Sequence, residues 1–502
     1  MLHFKHNQVP VAAGRMLMAV CAFFVTATDA MAQEVDETLK TFFVNRLSNG
    51  KGTYTDNVPM ELSEIEAKQV AVWQAWVAAN NELDEETLIP LENLSLKKSS
   101  SWTLPSVLEP NAVMKYYFGK KGERPDNGYP MFVYLHGSGD RDNEWAIGHQ
   151  FSTTFKDGPS AYFVPRIPNT GNYYRWWQQS KQWAWEKLLR QAYLNEDIDP
   201  NRIYFFGVSE GGYGSQRLAS FYADYLAGAG PMAGGEPLKN APVENCRNIA
   251  FNFRTGAEDY GFFRNTLTQY TADAFASLQS QYPDGFVHHI ELLEGYGHSI
   301  DYTKTTPWLA QYTRNPHPKH VMWECFDMDG VRRKGFYNLY VEEDPRGNLS
   351  YRVYYVMDIE GNDIELSVKR TTYECTESQD GIEMAFKRYR SEVNKGKIRI
   401  YLNNNLVDLS KPVSVRANGK LLFHGMVQPN LQDMANSLAT FYDPERIFPA
   451  SVLIDMKAEE VTAITSPVTA TESQQFYDLS GKPVTTPRKG VHISSTGKKV
   501  LF

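Results

Sequence analysis

Between residues 106 and 315 the chain alternates short apolar runs with segments of helical period. "AVMKYYFGKK", "YPMFVYLHG", "SAYFVPRIP", "RIYFFGVS", "YLAGAGPMAGG", "NIAFNFRTG" and "HHIELLEG" read as successive strands. Most are apolar throughout, as strands covered on both faces by helices must be. Between them, "KQWAWEKLLRQAYLNE" places Trp185, Leu188, Leu189 and Ala192 on one face of a helix. The alternation predicts an α/β fold with a doubly wound sheet.

The pattern differs on either side. In the segment 33–105, "LSEIEAKQVAVWQAWVAANNE" carries Ile65, Val72, Trp73, Trp76 and Val77 at near-helical spacing, which predicts an amphipathic helix with its tryptophans in the core. After the proline-rich "NPHPKH", residues 319–460 lose helical periodicity. Short alternating strands with "NG" and "GN" turns predict an appended C-terminal β-sandwich, interrupted by one helix around "NLQDMANSLATFY". A Thr/Ser/Pro-rich linker (461–473) leads to a terminal β segment (474–502).

Composition narrows the partners. Of 502 residues, 42% are hydrophobic and 22% charged, enough for more than one core. The net charge of -8 comes from interspersed acids and bases, so no basic face invites nucleic acid or anionic lipid. Lys5, Arg15, the run "MLMAVCAFFV" and the small-residue site Ala30-Met31-Ala32 predict a signal peptide over 1–32, hence a secreted or cell-surface protein. The run is shorter than the roughly 20 residues of a membrane span. Bulky Val20 argues against a lipidated Cys21. An oxidising compartment allows a Cys325–Cys375 bridge, with Cys246 left as a buried thiol.

The candidate chemistry centres on "YFFGVSEGGYGS". Gly207, Val208, Ser209, Glu210 and Gly211 fit G-x-S-x-G, in which a serine sits on a strained turn between strand and helix. Flanking glycines are needed because a β-carbon there strikes neighbouring backbone. The expected order of partners is Ser, Asp or Glu, then His. Asp259 lies on the loop after "NIAFNFRTG", with Glu258 as competitor, and His298 follows "HHIELLEG". His298 is then the general base, and Asp259 holds its tautomer and stabilises the imidazolium. "VYLHGSGD" predicts the oxyanion hole: an amide of Ser138 or Gly139 joins that of Glu210, with His136 structural.

These residues resemble the esterase branch of the α/β-hydrolase superfamily, near the polyhydroxybutyrate-depolymerase, feruloyl-esterase and prolyl-oligopeptidase-like groups. "DIDPNRIYFFGVSEGGYGS" is the most specific stretch, and the resemblance covers about residues 110 to 312. "TRNPHPKHVMWE" and "LNNNLVDLSKPVSVRANGK" resemble a β-sandwich appended to secreted esterases. "FYDLSGKPV", "KGVHI" and "GKKVLF" are similar to the C-terminal segment of Bacteroidetes secreted proteins, which implies export. Glu210 departs from the pattern, since many relatives carry Met or another residue there.

Tyr174, Arg175, Trp176 and Trp177 precede a helix and either line the pocket or pack beneath it. Asp140, Arg141 and Glu144 either meet substrate or form surface ion pairs. His288, His289, His317 and His320 lack metal-ligand spacing, so no cofactor is implied. The resulting expectation is a secreted serine carboxylesterase acting on an ester substrate, such as acyl or methyl esters of plant polysaccharides. A prolyl-oligopeptidase-type peptidase and a non-catalytic carbohydrate-binding protein are the alternatives. The β-rich half is expected to be accessory.

Overall fold

The computed structural model describes residues 35–461 except 348, together with four short strands within 476–501. The expected signal peptide and most of the 461–473 linker lie outside the described residues. Two helices, α1 (Glu37–Asn49) and α2 (Ile65–Glu82), come first. Asp36 caps α1 by accepting from the Thr38 and Leu39 amides. Trp76 of α2 is fully buried and meets Phe43 edge-on at 5.1 Å, whereas Trp73 is half-buried.

The central sheet contains β1 (Ser99–Thr103), β2 (Val113–Lys121), β3 (Tyr129–Leu135), β4 (Ser160–Pro165), β5 (Ile198–Val208), β6 (Gly228–Met232), β7 (Ala250–Gly256) and β8 (His288–Leu293). Their order is β1-β2-β4-β3-β5-β6-β7-β8. The strands from β4 to β8 run parallel, and the first two join antiparallel. Interleaved helices are α3 (Arg141–Thr154), α4 (Gln179–Leu194), α5 (Glu210–Tyr222), α6 (Arg264–Gln281) and α7 (Thr305–Leu309). Every residue of β3, β4, β6 and β7 is buried, which explains their unbroken apolarity. This large sheet in a mixed α/β fold fits the α/β-hydrolase arrangement. It begins earlier than the expected 106, because polar "SSSWT" adds β1 as an edge strand.

Beyond residue 319 strands predominate: β9 (His320–Cys325), β10 (Gly335–Phe336), β11 (Leu339–Glu343), β12 (Arg352–Glu360), β13 (Asp363–Gln379), β14 (Ile382–Glu392), β15 (Lys397–Leu402), β16 (Val413–Ala417), β17 (Lys420–Gly425) and β18 (Ala450–Asp455). They form two sheets, β10-β11-β15-β18 and β17-β16-β13-β12-β9, with β14 on β13. Helix α8 (Leu431–Phe441) interrupts them where the sequence predicts a helix. Tyr442, just after it, stacks on Trp76 at 5.9 Å, tying the two ends of the described chain together.

Strand order removes the expected Cys325–Cys375 bridge. Cys325 on β9 pairs with Val353 of β12, and β12 separates β9 from the β13 that carries Cys375. Two strand spacings come to about 9.6 Å, beyond the roughly 7 Å limit between bridged α-carbons. All three described cysteines are free thiols, and burial pushes that of Cys246 up to about 12.

The β-rich part is fastened to the sheet by buried charge. Asp224 accepts from Arg446 Nη1 at 2.7 Å and Arg333 Nη2 at 2.9 Å, and Asp443 accepts from Arg314 Nη1 and Arg446 Nε, both at 2.7 Å. Asp224, Asp443, Arg314 and Arg446 are all fully buried as side chains. Burial raises the Asp443 carboxyl, but Arg314 and Arg446 outweigh it and hold the pKa at about 2. Such a joint is not the modest, polar contact usual between domains.

Candidate active site

Ser209 is the N-cap of α5, with φ 56 and ψ -114, a conformation that non-glycine residues adopt only when their surroundings impose it. Those surroundings are backbone. A β-carbon on Gly211 would lie 1.8 Å from the Leu135 carbonyl, and one on Gly207 2.5 Å from the carbonyls of Gly211 and Leu135. The Ser209 amide donates to Met232 O at 2.9 Å, which ties the turn to the end of β6.

The structure brings three of the expected residues together. His298 Nε2 lies 3.0 Å from Ser209 Oγ, and His298 Nδ1 lies 2.8 Å from Asp259 Oδ2. Asp259 is buried, whereas its competitor Glu258 is exposed. Their loops are laced together: Ala257 N donates to Leu293 O, and Glu258 N to Tyr296 O, both at 2.9 Å. Gly256 permits this approach, since a β-carbon would lie 2.1 Å from Gly297 O.

The expected oxyanion loop is held from below. Burial lowers His136 to a pKa of about 4, so the ring is neutral. Its Nδ1–H donates to Gly137 O at 2.7 Å, and Nε2 accepts from Ile167 N at 3.1 Å. Glu144 Oε2 accepts from Gly137 N at 3.1 Å, so Glu144 braces this loop and is not a surface ion pair. The space beside Gly139 is filled by Glu144, whose Oε1 would lie 2.4 Å from a β-carbon. Ser138 remains at the pocket wall beside Ser209. Glu210 is the first residue of α5, where main-chain N–H groups have no intrahelical acceptor.

Two of the four expected pocket residues are not on its wall. Trp176 is fully buried, donates from Nε1 to His136 O at 2.9 Å, and fills the space left by Gly214. Tyr174 is buried too, donating to Gly137 O at 2.7 Å. Both support the loop because their polar ends find main-chain acceptors there. Arg175 and Trp177 do line the pocket.

This pocket has a volume of about 700 Å³ and opens at Ser209. Trp177 carries the Arg217 guanidinium over its ring at 4.0 Å, and Arg217 pairs with Glu236 at 2.6 Å. Glu210 lines the same pocket, with Oε2 3.3 Å from Arg175 and Oε1 buried without a hydrogen-bond partner among the described residues. Burial raises its pKa to about 7, against the pull of Arg175.

Sequence reasoning missed the opposite wall. Gly381, Ile382, Glu383 and Phe386 come from the hairpin of β13 and β14, whose turn residues Asp380 and Gly381 have φ 49 and 79. "DG" marks the turn in the sequence, but nothing local says what it packs against. Glu383 pairs with Lys239 at 2.8 Å, and Tyr270 donates to Glu377 at 2.7 Å. The β-rich part therefore supplies part of the lining of this pocket. Arg264 and Phe262 were also missed. Among the described residues, no group of three or more His, Cys, Asp or Glu is arranged to hold a metal, and no helix is long and apolar enough to cross a membrane.

No family model matches the chain. A poly(3-hydroxyalkanoate) depolymerase C from Paucimonas lemoignei is 28% identical over 125 residues, 22% of this chain and 29% of that relative. The match thus spans less than a third of the relative's length. Among solved structures, a thermostable esterase is similar with a TM-score of 0.36 and 21% identity, over 43% of this chain and 63% of the other. A ferulic acid esterase matches at 0.33 and 15%, over 43% and 97%. A poly(3-hydroxybutyrate) depolymerase, LpqC of Bordetella parapertussis, matches at 0.32 and 13%, over 44% and 90%. The proteins to which this chain is similar thus include esterases and depolymerases.

Proposed function

We propose that this chain is a serine ester hydrolase working through an acyl-enzyme, with Ser209 as nucleophile, His298 as general base and Asp259 as its orienting acid. The observation that carries the reading is the relay Ser209–His298–Asp259, with successive separations of 3.0 and 2.8 Å beside a pocket. Ser209 Oγ attacks the ester carbonyl as its proton passes to His298 Nε2. The tetrahedral oxyanion is held by the Glu210 amide together with that of Ser138 or Gly139, each worth about 2.7 to 4 kcal/mol. His298 then protonates the leaving alcohol, and water repeats the sequence to free the acid.

For the substrate, an ester on a polymer is favoured, such as an acyl or methyl ester of a plant polysaccharide. Aromatic faces from Trp177 and Phe386 stand beside hydrogen-bonding groups from Glu236, Arg217 and Asn240, a combination suited to a hydroxyl-rich partner. Relatives named as depolymerases and ferulic acid esterases support the same class. Secretion rests on the leader read from residues 1–32.

The test compares the full chain with Ser209→Ala on p-nitrophenyl acyl esters, methyl ferulate, acetylated xylan and a proline peptide. Hydrolysis of at least one ester class, abolished in the variant, is the expected result. Peptide cleavage without ester cleavage, or an active variant, overturns the proposal.

A further inference from the structure

We propose that Arg264 is a positioning residue, which fixes the plane of the Asp259 carboxylate and so the oxygen it presents to His298. The inference rests on the serine-hydrolase reading above. Arg264 Nη2 donates to Asp259 Oδ1 at 2.6 Å and Nε donates to Oδ2 at 2.8 Å, while His298 Nδ1 reaches the same Oδ2 at 2.8 Å. Of the three side-chain donors on this buried carboxylate, Arg264 supplies two. A planar fork of this kind leaves the carboxylate one orientation. Oδ2 is then presented to the imidazole without a search.

The local backbone is built around this contact. Phe262 and Phe263 both adopt left-handed conformations, φ 55 and 56, immediately before α6. Two such non-glycine residues in succession are uncommon and persist only where the surrounding structure imposes them. Their turn folds the first residue of the helix back onto an acid five positions earlier, and the Asn265 amide donates to Asp259 O at 3.2 Å. Gly261 leaves the necessary room, since a β-carbon would lie 2.8 Å from Arg264 Nη2. Phe262 stays exposed, with the guanidinium over its ring at 5.5 Å. An ordinary surface ion pair requires none of this strain.

The chemical consequence is one of geometry. Arg264 Nε and His298 Nδ1 share Asp259 Oδ2, and the second Arg264 donor, on Oδ1, fixes how that oxygen is presented to the imidazole. Other groups facing the cluster are Tyr213 of α5, 3.5 Å from Arg264 Nη1, and Tyr302, whose hydroxyl donates to His298 O at 3.4 Å. Glu210 and Glu236 lie across the pocket, the latter neutralised by Arg217.

The experiment is the steady-state kcat and KM for p-nitrophenyl acetate in the full-length wild type, Arg264→Met, Arg264→Lys and Ser209→Ala. Arg264→Met should lose about ten-fold or more in kcat with little change in KM. Arg264→Lys keeps the charge but not the fork, so its kcat should stay low as well, again with little change in KM. Should Arg264→Met fail to fold by circular dichroism, Arg264→Lys decides: a folded Lys variant with wild-type kcat refutes the positioning role. Wild-type kcat in a folded Arg264→Met does the same. Activity in Ser209→Ala instead refutes the hydrolase mechanism beneath it, a different failure.

Discussion

Glu210→Gln should stabilise the protein at alkaline pH and leave it unchanged in acid. The side chain is 8% exposed, and among the described residues Oε1 has no hydrogen-bond partner while Oε2 pairs with the half-exposed Arg175 at 3.3 Å. Burial therefore raises the carboxyl from 4.5 to about 7 in the folded chain. A folded-state pKa above the unfolded one means that the linked stability is fully present below about 4.5. It is lost as pH rises, and the loss is complete above about 7. At 1.36 kcal/mol per unit, a shift of roughly 2.5 units is worth about 3 kcal/mol. Glutamine, which cannot ionise, escapes the loss and keeps the Glu210 main-chain amide in place. The assay is thermal unfolding of wild type and variant at pH 5 and pH 8, followed by near-ultraviolet circular dichroism. Taking the difference between the two proteins cancels every other titrating group. With about 2 cal/mol/K of unfolding entropy per residue over several hundred residues, 3 kcal/mol corresponds to a rise of about 3 °C in Tm at pH 8. Equal differences at the two pH values, or a variant less stable at pH 8, would refute the reasoning.

Asp259→Asn should lower kcat by about 10⁴, as loss of the orienting acid does in trypsin, because the imidazole is then held in the wrong tautomer. Steady-state kinetics beside Glu258→Gln check it, and the exposed Glu258 should matter little. A chain ending at Pro316 should not yield a folded, active enzyme, as judged by circular dichroism and small-ester hydrolysis. It strips Arg333 and Arg446 from buried Asp224, and each broken buried pair costs about 3 to 5 kcal/mol. Gly211→Ala should fail to give soluble folded protein on size-exclusion chromatography, because its β-carbon would lie 1.8 Å from Leu135 O.

What the sequence disclosed follows from how local each constraint is. Ser209 was legible because its glycines answer to backbone within a few residues, or directly across one strand pair. Asp259 and His298 were legible because each sits just past a strand of the sheet, where strand order gathers loops at one end. Tyr174 and Trp176 were not separable from Arg175 and Trp177, since the burial of Trp176 depends on the absent side chain of Gly214 and that of Tyr174 on the loop at Gly137, both distant in sequence. The pocket wall of Ile382 and Phe386 was hidden for the same reason: an alternating strand pattern shows which faces are apolar, not which distant pocket they close. Strand order likewise ruled out the Cys325–Cys375 bridge, which their position in one β-rich region had suggested. Arg264 carries no sequence signal at all, because the chain reversal that aims it at Asp259 is made by two phenylalanines in an unfavoured conformation.

The nucleophile is the central claim, and covalent labelling tests it most directly. The full-length protein is treated with a fluorophosphonate, then analysed by intact mass and peptide mapping, beside Ser209→Ala. One adduct per chain on the peptide carrying Ser209, absent from the variant, is the predicted result. No adduct, or one on Ser138 or Ser215 that persists in the variant, would contradict the account.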